Sequence, residues 1–344
     1  MRPLAGADPP ELAPLATRGA GRGRRAAALA VGALLLALLV YYAGLGPILE
    51  RLRAIGWSAP LILIPYLAVN VFDTIGWRRT LPAVVAARVP FSSMYLARMA
   101  GEAVNSITPT AAVGGEPVKA HLLRALGVAS SDGVASVVIA KTALTVSQIT
   151  FILIGLAALF DRLEQRVLGA VWLGLLLLLA AGFTTLVVRM QRRQPVTRVW
   201  RWLNRIMPRA RFVRRLETRA QAIDERLADF YRLEPDAFGI ATLWHLGGWL
   251  LGVVETFLLM TFIGAPVSPR DALIIEALAQ PIRATALFIP GGLGAQEVGG
   301  VALCRFIGVP EAAAVTFWFL KRARELVFDG VGLLYLTRQT TGRA

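Results

Sequence analysis

Six long apolar stretches constrain the fold of this 344-residue chain more than any other feature of its sequence. Each reaches the ~20 residues that a helix needs to cross a bilayer. Hydrophobic residues make up 56% of the chain and charged residues only 17%, which is more apolar surface than a soluble domain can bury. The sequence therefore predicts an all-α, polytopic membrane protein. The stretches lie at about 26–45, 58–77, 132–160, 167–188, 238–263 and 312–337.

Basic residues divide the connections between these stretches into two groups. The first 25 residues, residues 78–90, the long connection 189–232 and the tail after 337 hold 23 Lys and Arg, whereas the other connections hold five. Cytoplasmic loops of membrane proteins carry the excess of Lys and Arg. We therefore expect the first group on the cytoplasmic side of a bacterial inner membrane, with both termini inside.

Two further regions, at about 91–127 and 272–308, are apolar but interrupted by proline, glycine and charge. The sidedness above requires the first region to begin and end in the cytoplasm and the second to begin and end outside. This predicts six full transmembrane helices and two broken re-entrant helical hairpins, one from each side. An arrangement of eight helices, in which each hairpin is two tilted full spans, stays open and leaves the side assignment unchanged.

The same pattern sets the domain boundaries. We expect a disordered basic tail at 1–25, one integral membrane domain at 26–337 and a cytoplasmic tail at 338–344, with repeat units at about 91–160 and 272–337 and a cytoplasmic connection at 189–236. Apolar residues at helical spacing predict an amphipathic helix in that connection. It is either an interfacial helix on anionic lipid or a helix packed on the bundle. These residues are Leu216, Ala220, Ile223, Leu227 and Phe230.

Several functional classes are excluded by composition and by missing motifs. The net charge of +15 lies between apolar spans, so it indicates membrane topology rather than nucleic-acid binding. Only three of the 37 basic residues are lysines, a bias that we attribute to genomic base composition. One cysteine and two histidines exclude a disulfide framework and a Cys/His metal cluster. No nucleotide-binding loop or hydrolase motif is present, so we predict no catalytic residue, metal or cofactor.

An internal repeat relates the two broken regions at an offset of 181 residues. Six of the twenty positions 109–128 are identical to their partners. Since the two regions are predicted to face opposite sides, they form an inverted repeat, and such repeats place a binding site where their broken helices meet. The identities are Pro109/Pro290, Glu116/Glu297, Leu122/Leu303, Arg124/Arg305, Gly127/Gly308 and Val128/Val309, and basic Lys141 meets basic Arg322.

Charged side chains inside the apolar layer are the second sign of a site. Each costs ~2.5–3.5 kcal/mol at a helix centre, so we expect them to pair or to line a wet cavity. Lys141 and Arg322 lie near half depth, and Glu116 and Glu297 are their expected partners. Broken helix ends can hold an anionic head group, and Gly-Gly pairs let the backbone approach a ligand closely. A rival interpretation is that these ion pairs only lock the repeats together.

The candidate residues fall into two sets. The substrate-binding or gating candidates are Glu116, Lys141, Pro290, Gly291, Gly292, Glu297, Arg322 and Glu325. The secondary candidates are Glu102, Pro109, Gly114, Gly115, Arg283, Arg324 and Asp329. In the last helix, Arg322, Glu325 and Asp329 are spaced by about one turn and form a charged stripe.

The stretch 288–297, followed by Leu303, Gly308 and the charged helix from Lys321, resembles a known family. This is the lysylphosphatidylglycerol synthase transmembrane-region, or flippase-like domain, family, and the stretch 108–127 fits the same pattern. The resemblance covers about residues 26–337. One departure is Ala140-Lys141, where the family usually has an acidic residue followed by arginine.

The resemblance implies a lipid flippase-like role, the movement of an amphiphilic lipid, for example an anionic or aminoacylated one, between leaflets. The family's enzymatic activity belongs to a separate soluble aminoacyltransferase domain, which is not expected in the seven residues after the last span, so we predict no enzyme activity. Two alternatives remain: a secondary transporter of a small anion, and a non-transporting membrane partner of a lipid-modifying enzyme or glycosyltransferase. Membrane lipids are the expected partners in the first case.

Overall fold

A computed structural model describes residues 41, 45–56, 61–108, 113–206, 212–285 and 294–341. All regular structure within these ranges is helical. The predicted tail 1–25 and nearly all of the first apolar stretch lie outside the described residues. The α-helices are α1 (Leu45–Ile55), α2 (Leu63–Arg78), α3 (Ala83–Arg88), α4 (Phe91–Ile107), α5 (Glu116–Ala125), α6 (Ser130–Arg162), α7 (Arg166–Gln191), α8 (Pro195–Ile206), α9 (Phe212–Leu233), α10 (Pro235–Phe262), α11 (Pro269–Thr285), α12 (Ala295–Ile307) and α13 (Glu311–Thr341).

Five of the predicted spans correspond to single helices. They are α2, α6, α7, α10 and α13, and most of the observed ends lie within about three residues of the apolar boundaries. Among the described helices, α6, α7 and α10 are long and apolar enough to cross a membrane. The most apolar part of α7 buries no residue within the protein, so this surface is available to lipid.

The two predicted repeat units contain the same order of three helices. At the offset of 181 residues, α4, α5 and α6 correspond to α11, α12 and α13. The units pack reciprocally, α4 on α13 and α11 on α6. The preceding helices α2 and α10 pack on each other in antiparallel fashion, because Gly76 lies beside His245 while Val69 lies beside Gly248. Two units related by a two-fold axis between α2 and α10 would pack in this way.

The closest local match between the units is the turn that ends α5 and α12. Gly127 and Gly308 both have a positive φ, of 86° and 98°. Each glycine N–H donates to the carbonyl of an arginine three residues earlier, Gly127 to Arg124 at 3.0 Å and Gly308 to Arg305 at 2.9 Å. The next residue in each turn is a buried valine. This helix-ending turn needs a left-handed residue, which glycine adopts without strain, so these repeat identities share one structural cause.

Each helical hairpin begins and ends at one end of the bundle. Both ends of the α4–α5 hairpin lie in an apolar cluster that contains Val89, Met94 and Val128, together with Tyr335 and Leu336 near the end of α13. The connection 78–90 is therefore close in space to the end of α13, which leads into the tail after 337.

The other hairpin, α11–α12, begins and ends in a second apolar cluster. This cluster contains Ile274, Ile307 and Val309 together with Ile48 of α1 and Leu159 near the end of α6, which lie in or beside the connections that are poor in arginine. The connection 78–90 with the end of α13 and the connections poor in arginine are thus at two separate places in the described part of the fold, while the connection 189–232 packs on α6 through a third cluster. The side of the membrane that each group faces stays a prediction.

The amphipathic segment of the long connection forms α9, which packs on the bundle. Leu227 and Phe230 are buried against Ala135 and Ile139 of α6, so of the two predicted alternatives the packed helix is correct for this segment. Ala220 is buried and Ile223 packs against the same cluster, while the side chain of Leu216 lies outside the described residues. The Asp224 carboxylate accepts the N–H groups of Val196 at 3.0 Å and Thr197 at 2.7 Å, which fixes the start of α8.

Candidate functional site: two ion networks beside an apolar groove

Four charged side chains form a chain across the first repeat unit, and we call it the first ion network. The Nζ of Lys119 donates to Glu102 Oε1 at 2.6 Å and to Glu116 Oε1 at 3.3 Å. The Nζ of Lys141 lies 3.5 Å from Glu116 Oε1. The order is therefore Lys141–Glu116–Lys119–Glu102. Lys119 is 9% exposed, whereas the two ends, Lys141 and Glu102, are 34% and 36% exposed.

A second ion network has the same alternation of charge in the second unit. Arg322 donates from both Nε and Nη2 to Glu297 Oε1, at 2.9 Å and 2.6 Å. Its Nη1 donates to Glu325 Oε2 at 2.9 Å, and Arg283 Nη2 donates to Glu325 Oε1 at 3.2 Å. The order is Arg283–Glu325–Arg322–Glu297, and Glu297 is only 3% exposed.

Equivalent positions carry opposite charges in part of the two networks. Glu102 of the first unit corresponds to Arg283 of the second at the 181-residue offset. Each network nevertheless holds two acidic and two basic side chains, because Lys119 balances Glu102 and Glu325 balances Arg283. The predicted pairs Glu116–Lys141 and Glu297–Arg322 are in contact. Neutral networks are what a low-dielectric layer favours, since an uncompensated charge there is costly.

The backbone at the start of α5 and α12 is already hydrogen-bonded within the protein. The N–H of Gly115 donates to Asn105 Oδ1 at 2.7 Å, and the N–H of Gly294 donates to Glu297 Oε2 at 2.7 Å. A Cβ atom on Gly115 would lie 1.8 Å from the carbonyl oxygen of Gly101. Gly115 therefore brings α5 against α4, whereas the sequence suggested that it brings backbone close to a ligand.

The first ion network lies at the boundary of two cavities. A polar cavity of about 20 Å³, enough for about one water molecule, is lined by all four of its members and by Asp73, Arg98 and His245. An apolar groove of about 280 Å³ runs between α6 and α7 and is lined mainly by valines, threonines and Phe183. Glu116 and Lys141 line both, so they mark the polar end of the apolar groove.

A buried polar cluster joins α2, α4 and α10, and sequence reasoning missed it. The guanidinium of Arg98 donates to Asp73 Oδ2 and to Asn70 Oδ1, each at 2.5 Å. The Nδ1 of His245 lies 2.7 Å from Asp73 Oδ1. His245 is buried between α10 and α2. The sequence feature that could have indicated this cluster is Asp73, a charged residue inside the apolar stretch 58–77.

A second buried polar cluster joins α10, α11 and α13. Lys321 pairs with Glu276 and donates to Thr256 Oγ1 at 3.2 Å, and Arg324 pairs with Glu255 at 2.8 Å. Arg324, a secondary candidate, therefore lies in this cluster and not in the second ion network. Its guanidinium stacks 3.8 Å above the ring centre of Tyr66, which is a cation–π contact.

The three lysines of the chain all lie in these buried clusters or networks. Lys119 and Lys141 belong to the first ion network, and Lys321 is 2% exposed between Glu276 and Thr256. Every other basic position in the chain is an arginine. A compact ammonium fits where a planar guanidinium does not. Because the chain has arginine at its other basic positions, the three lysines could have indicated these clusters from the sequence.

Two secondary candidates, Asp329 and Gly114, belong to neither ion network. Asp329 lies on α13 beside Ser106 of α4, and Gly114 lies in the turn before α5. Within the described ranges, no group of three or more His, Cys, Asp or Glu side chains is arranged to hold a metal ion. Four candidates lie outside the described residues, namely Pro109, Pro290, Gly291 and Gly292.

Comparison with known proteins gives one family and one curated relative. The family model described as "Lysylphosphatidylglycerol synthase TM region" matches residues 25–331. A UPF0104 membrane protein of Methanothermobacter thermautotrophicus is 26% identical over 316 residues, which cover 85% of this chain and 91% of the relative. No solved structure matches.

Proposed function

Because the chain belongs to the lysylphosphatidylglycerol synthase TM region family, we propose that it moves an amphiphilic lipid between the leaflets of the membrane. The observation that carries this proposal is the apolar groove between α6 and α7, which ends at Glu116 and Lys141. A groove of about 280 Å³ accommodates part of an acyl chain, while the charged pair faces a polar head group. The apolar surface of α7 is exposed, so the rest of the lipid can stay in the bilayer beside it.

The first ion network suggests how a head group is accepted. Glu116 contacts both Lys119 and Lys141, so it keeps a cationic partner when Lys141 turns to an anionic phosphate. No buried carboxylate is then left unpaired, which would be strongly unfavourable. Lys141 is the more exposed of the two lysines and lines the groove, and it is therefore the residue to which we assign phosphate binding.

We further propose six full crossings and two re-entrant hairpins, with both termini in the cytoplasm of a bacterial cell. The return of each hairpin to its own apolar cluster and the segregation of arginine-rich connections support this topology. In this arrangement the two ion networks belong to units of opposite orientation, and the seam between the units is the translocation path.

Leaflet-resolved assays in reconstituted vesicles test the proposal. A fluorescent phospholipid is incorporated, and an impermeant quencher reports the fraction that reaches the outer leaflet. We expect protein-containing vesicles to exchange the lipid faster than empty vesicles. Lys141→Gln should reduce the rate by about 10-fold or more, because a charge-assisted contact contributes ~1.5–3 kcal/mol. Arg305→Gln is the matched neutralisation, since Arg305 is 62% exposed and lies outside both cavities.

A second pair of variants tests the groove itself. Val146→Trp places a large side chain in the groove wall, and we expect it to slow lipid exchange. Leu178→Trp is the control, because Leu178 is 73% exposed on α7 and does not line the groove. The proposal is contradicted if empty vesicles exchange the lipid as fast as protein-containing vesicles. It is also contradicted if Val146→Trp and Leu178→Trp give equal rates.

The same vesicles separate the two alternatives. A secondary transporter of a small anion takes up soluble anion on an ion gradient and moves no lipid. A membrane partner of a lipid-modifying enzyme or glycosyltransferase moves neither and binds its enzyme. The feature that favours such a partner is α8, which exposes Trp202 (60%) between arginines. Arg198→Gln, Arg201→Gln and Arg205→Gln together should then abolish the complex, whereas deleting the connection would also remove the buried contacts of α9.

A further inference from the structure

His245 has one ring nitrogen without a partner in the buried core. The side chain is only 3% exposed, and its Nε2 is buried and makes no hydrogen bond to any described residue. An unpaired polar atom in an apolar layer is unfavourable, so its retention needs a physical reason. The ring fills the space beside Gly76, where a Cβ would lie 2.9 Å from Nε2. The helices α2 and α10 therefore approach each other around this imidazole.

The surroundings fix the tautomer of His245. Asp73 accepts from Arg98 through Oδ2 at 2.5 Å, so it is an ionised carboxylate. Its Oδ1 lies 2.7 Å from His245 Nδ1, which must then carry the hydrogen and donate. The neutral imidazole consequently has its lone pair on Nε2, and the carboxylate of Asp73 is placed to stabilise an imidazolium.

His245 also lines the polar cavity that reaches the first ion network. The charged groups around this cavity are Asp73 from α2, Arg98 and Glu102 from α4, Glu116 and Lys119 from α5, and Lys141 from α6. The other charged groups near α10 lie further along it, where Glu276 faces Gly252 and Thr256. A single water in the cavity, which holds about 20 Å³, is enough to carry a proton between the network and the imidazole.

We propose that His245 is a proton-binding site that couples proton movement to lipid translocation, through the cavity it shares with Glu116 and Lys141. The coupling rests on the proposed lipid function, whereas the proton binding does not. Nε2 uses its lone pair to bind a proton from a protonated cavity water, whose O–H bond breaks and which becomes neutral water. Release reverses this step: the N–H bond breaks and the proton returns to a water. The added positive charge lies close to Arg98 and Lys119. It repels the two lysines of the first ion network and weakens their pairing with the carboxylates. Lys141 is then free to change partner from Glu116 to a head group.

Nitrogen NMR of the full chain in lipid nanodiscs tests proton binding. The chain has only two histidines, so isotope-labelled histidine gives two sets of signals, and His121→Gln assigns them. His121 is exposed on α5, so its signals serve as an internal comparison for those of His245. We expect Nε2 of His245 to change from unprotonated to protonated between about pH 8 and about pH 5, the range in which histidine changes charge. An Nε2 that stays unprotonated over this range overturns the proposal without any need for a variant.

A proton gradient across the reconstituted vesicles tests the coupling. We expect a gradient of one sign to accelerate exchange of the fluorescent phospholipid several-fold and the opposite sign to slow it. His121→Gln should keep this response, and His245→Gln should lose it. A response retained in His245→Gln overturns the coupling. If no lipid moves in any vesicle, the proposed function fails, and the NMR titration still decides whether His245 binds a proton.

Discussion

At the scale of single residues, the buried lysines show how tightly the charged clusters are packed. Lys321 has Glu276 and Thr256 as polar partners, and its Nζ also lies 5.1 Å and 5.7 Å from the ring centres of Phe317 and Trp318. Those contacts surround an ammonium closely on several sides. A guanidinium is larger and planar, and its extra donors would meet aromatic carbon.

Lys321→Arg should therefore destabilise the protein although it conserves charge. We expect a cost of ~1–3 kcal/mol, the usual range for overpacking a core, and a lower midpoint of thermal unfolding in detergent. Arg305→Lys is the matched exchange in the other direction at an exposed position, and it should leave the midpoint unchanged. Equal midpoints for Lys321→Arg and wild type would show that the pocket has room for the larger group.

The equivalent glutamates of the two networks should respond differently to neutralisation. Glu297→Gln removes the charge of a carboxylate that is 3% exposed and pairs with Arg322, and breaking a buried ion pair costs ~3–5 kcal/mol. The amide nitrogen of Gln also cannot accept the N–H of Gly294, as Oε2 of Glu297 does. Glu116→Gln removes a carboxylate that lies 3.5 Å from a partly exposed lysine, while Lys119 keeps Glu102. We expect a large loss of thermal stability in the first variant and a smaller one in the second, by the same unfolding measurement. The reverse order would contradict the assignment of the more open network to the lipid.

At the scale of helices and turns, glycine determines how closely the hairpin α4–α5 can pack. The ideal Cβ of residue 115 would overlap the carbonyl oxygen of Gly101 at 1.8 Å, a backbone atom that cannot move aside. Gly115→Ala should separate α4 from α5, break the bond from its N–H to Asn105 and displace Lys119 from Glu102. We expect a lower yield of folded protein by size-exclusion chromatography. Gly174→Ala on α7 has open space around its Cβ and should match wild type.

Hydropathy predicted five of the described helices, because a helix that lies in a bilayer carries a long run of apolar residues. The repeat was detectable because the turns at Gly127 and Gly308 need the same residue for the same backbone conformation. The contact between Asp73 and His245 was not predictable, since it joins residues 172 positions apart and depends on where α2 crosses α10. The partners of Arg324 and Lys321 were missed for the same reason, because nothing local in the sequence indicates which helix faces α13.

At the scale of the whole molecule, the placement of the charged connections makes the topology testable. Arg270 pairs with Asp161 at 2.9 Å and Arg162 pairs with Asp271, so the connections α6–α7 and α10–α11 lie together. The arginine-rich connection 78–90 and the end of α13 lie in the other apolar cluster, with the hairpin α4–α5. An inverted repeat in a membrane requires these two groups to face opposite sides.

Cysteine labelling in inverted and right-side-out vesicles decides the orientation. The native Cys304 is fully buried, so it should stay unlabelled by an impermeant maleimide and leave a low background. Arg193→Cys, at the exposed end of α7, should react only from the cytoplasmic side, because 13 basic residues hold this connection inside. Arg270→Cys should react only from the opposite side. Labelling of both positions from one side would place the two hairpins in the same orientation and remove the basis for a seam between inverted units.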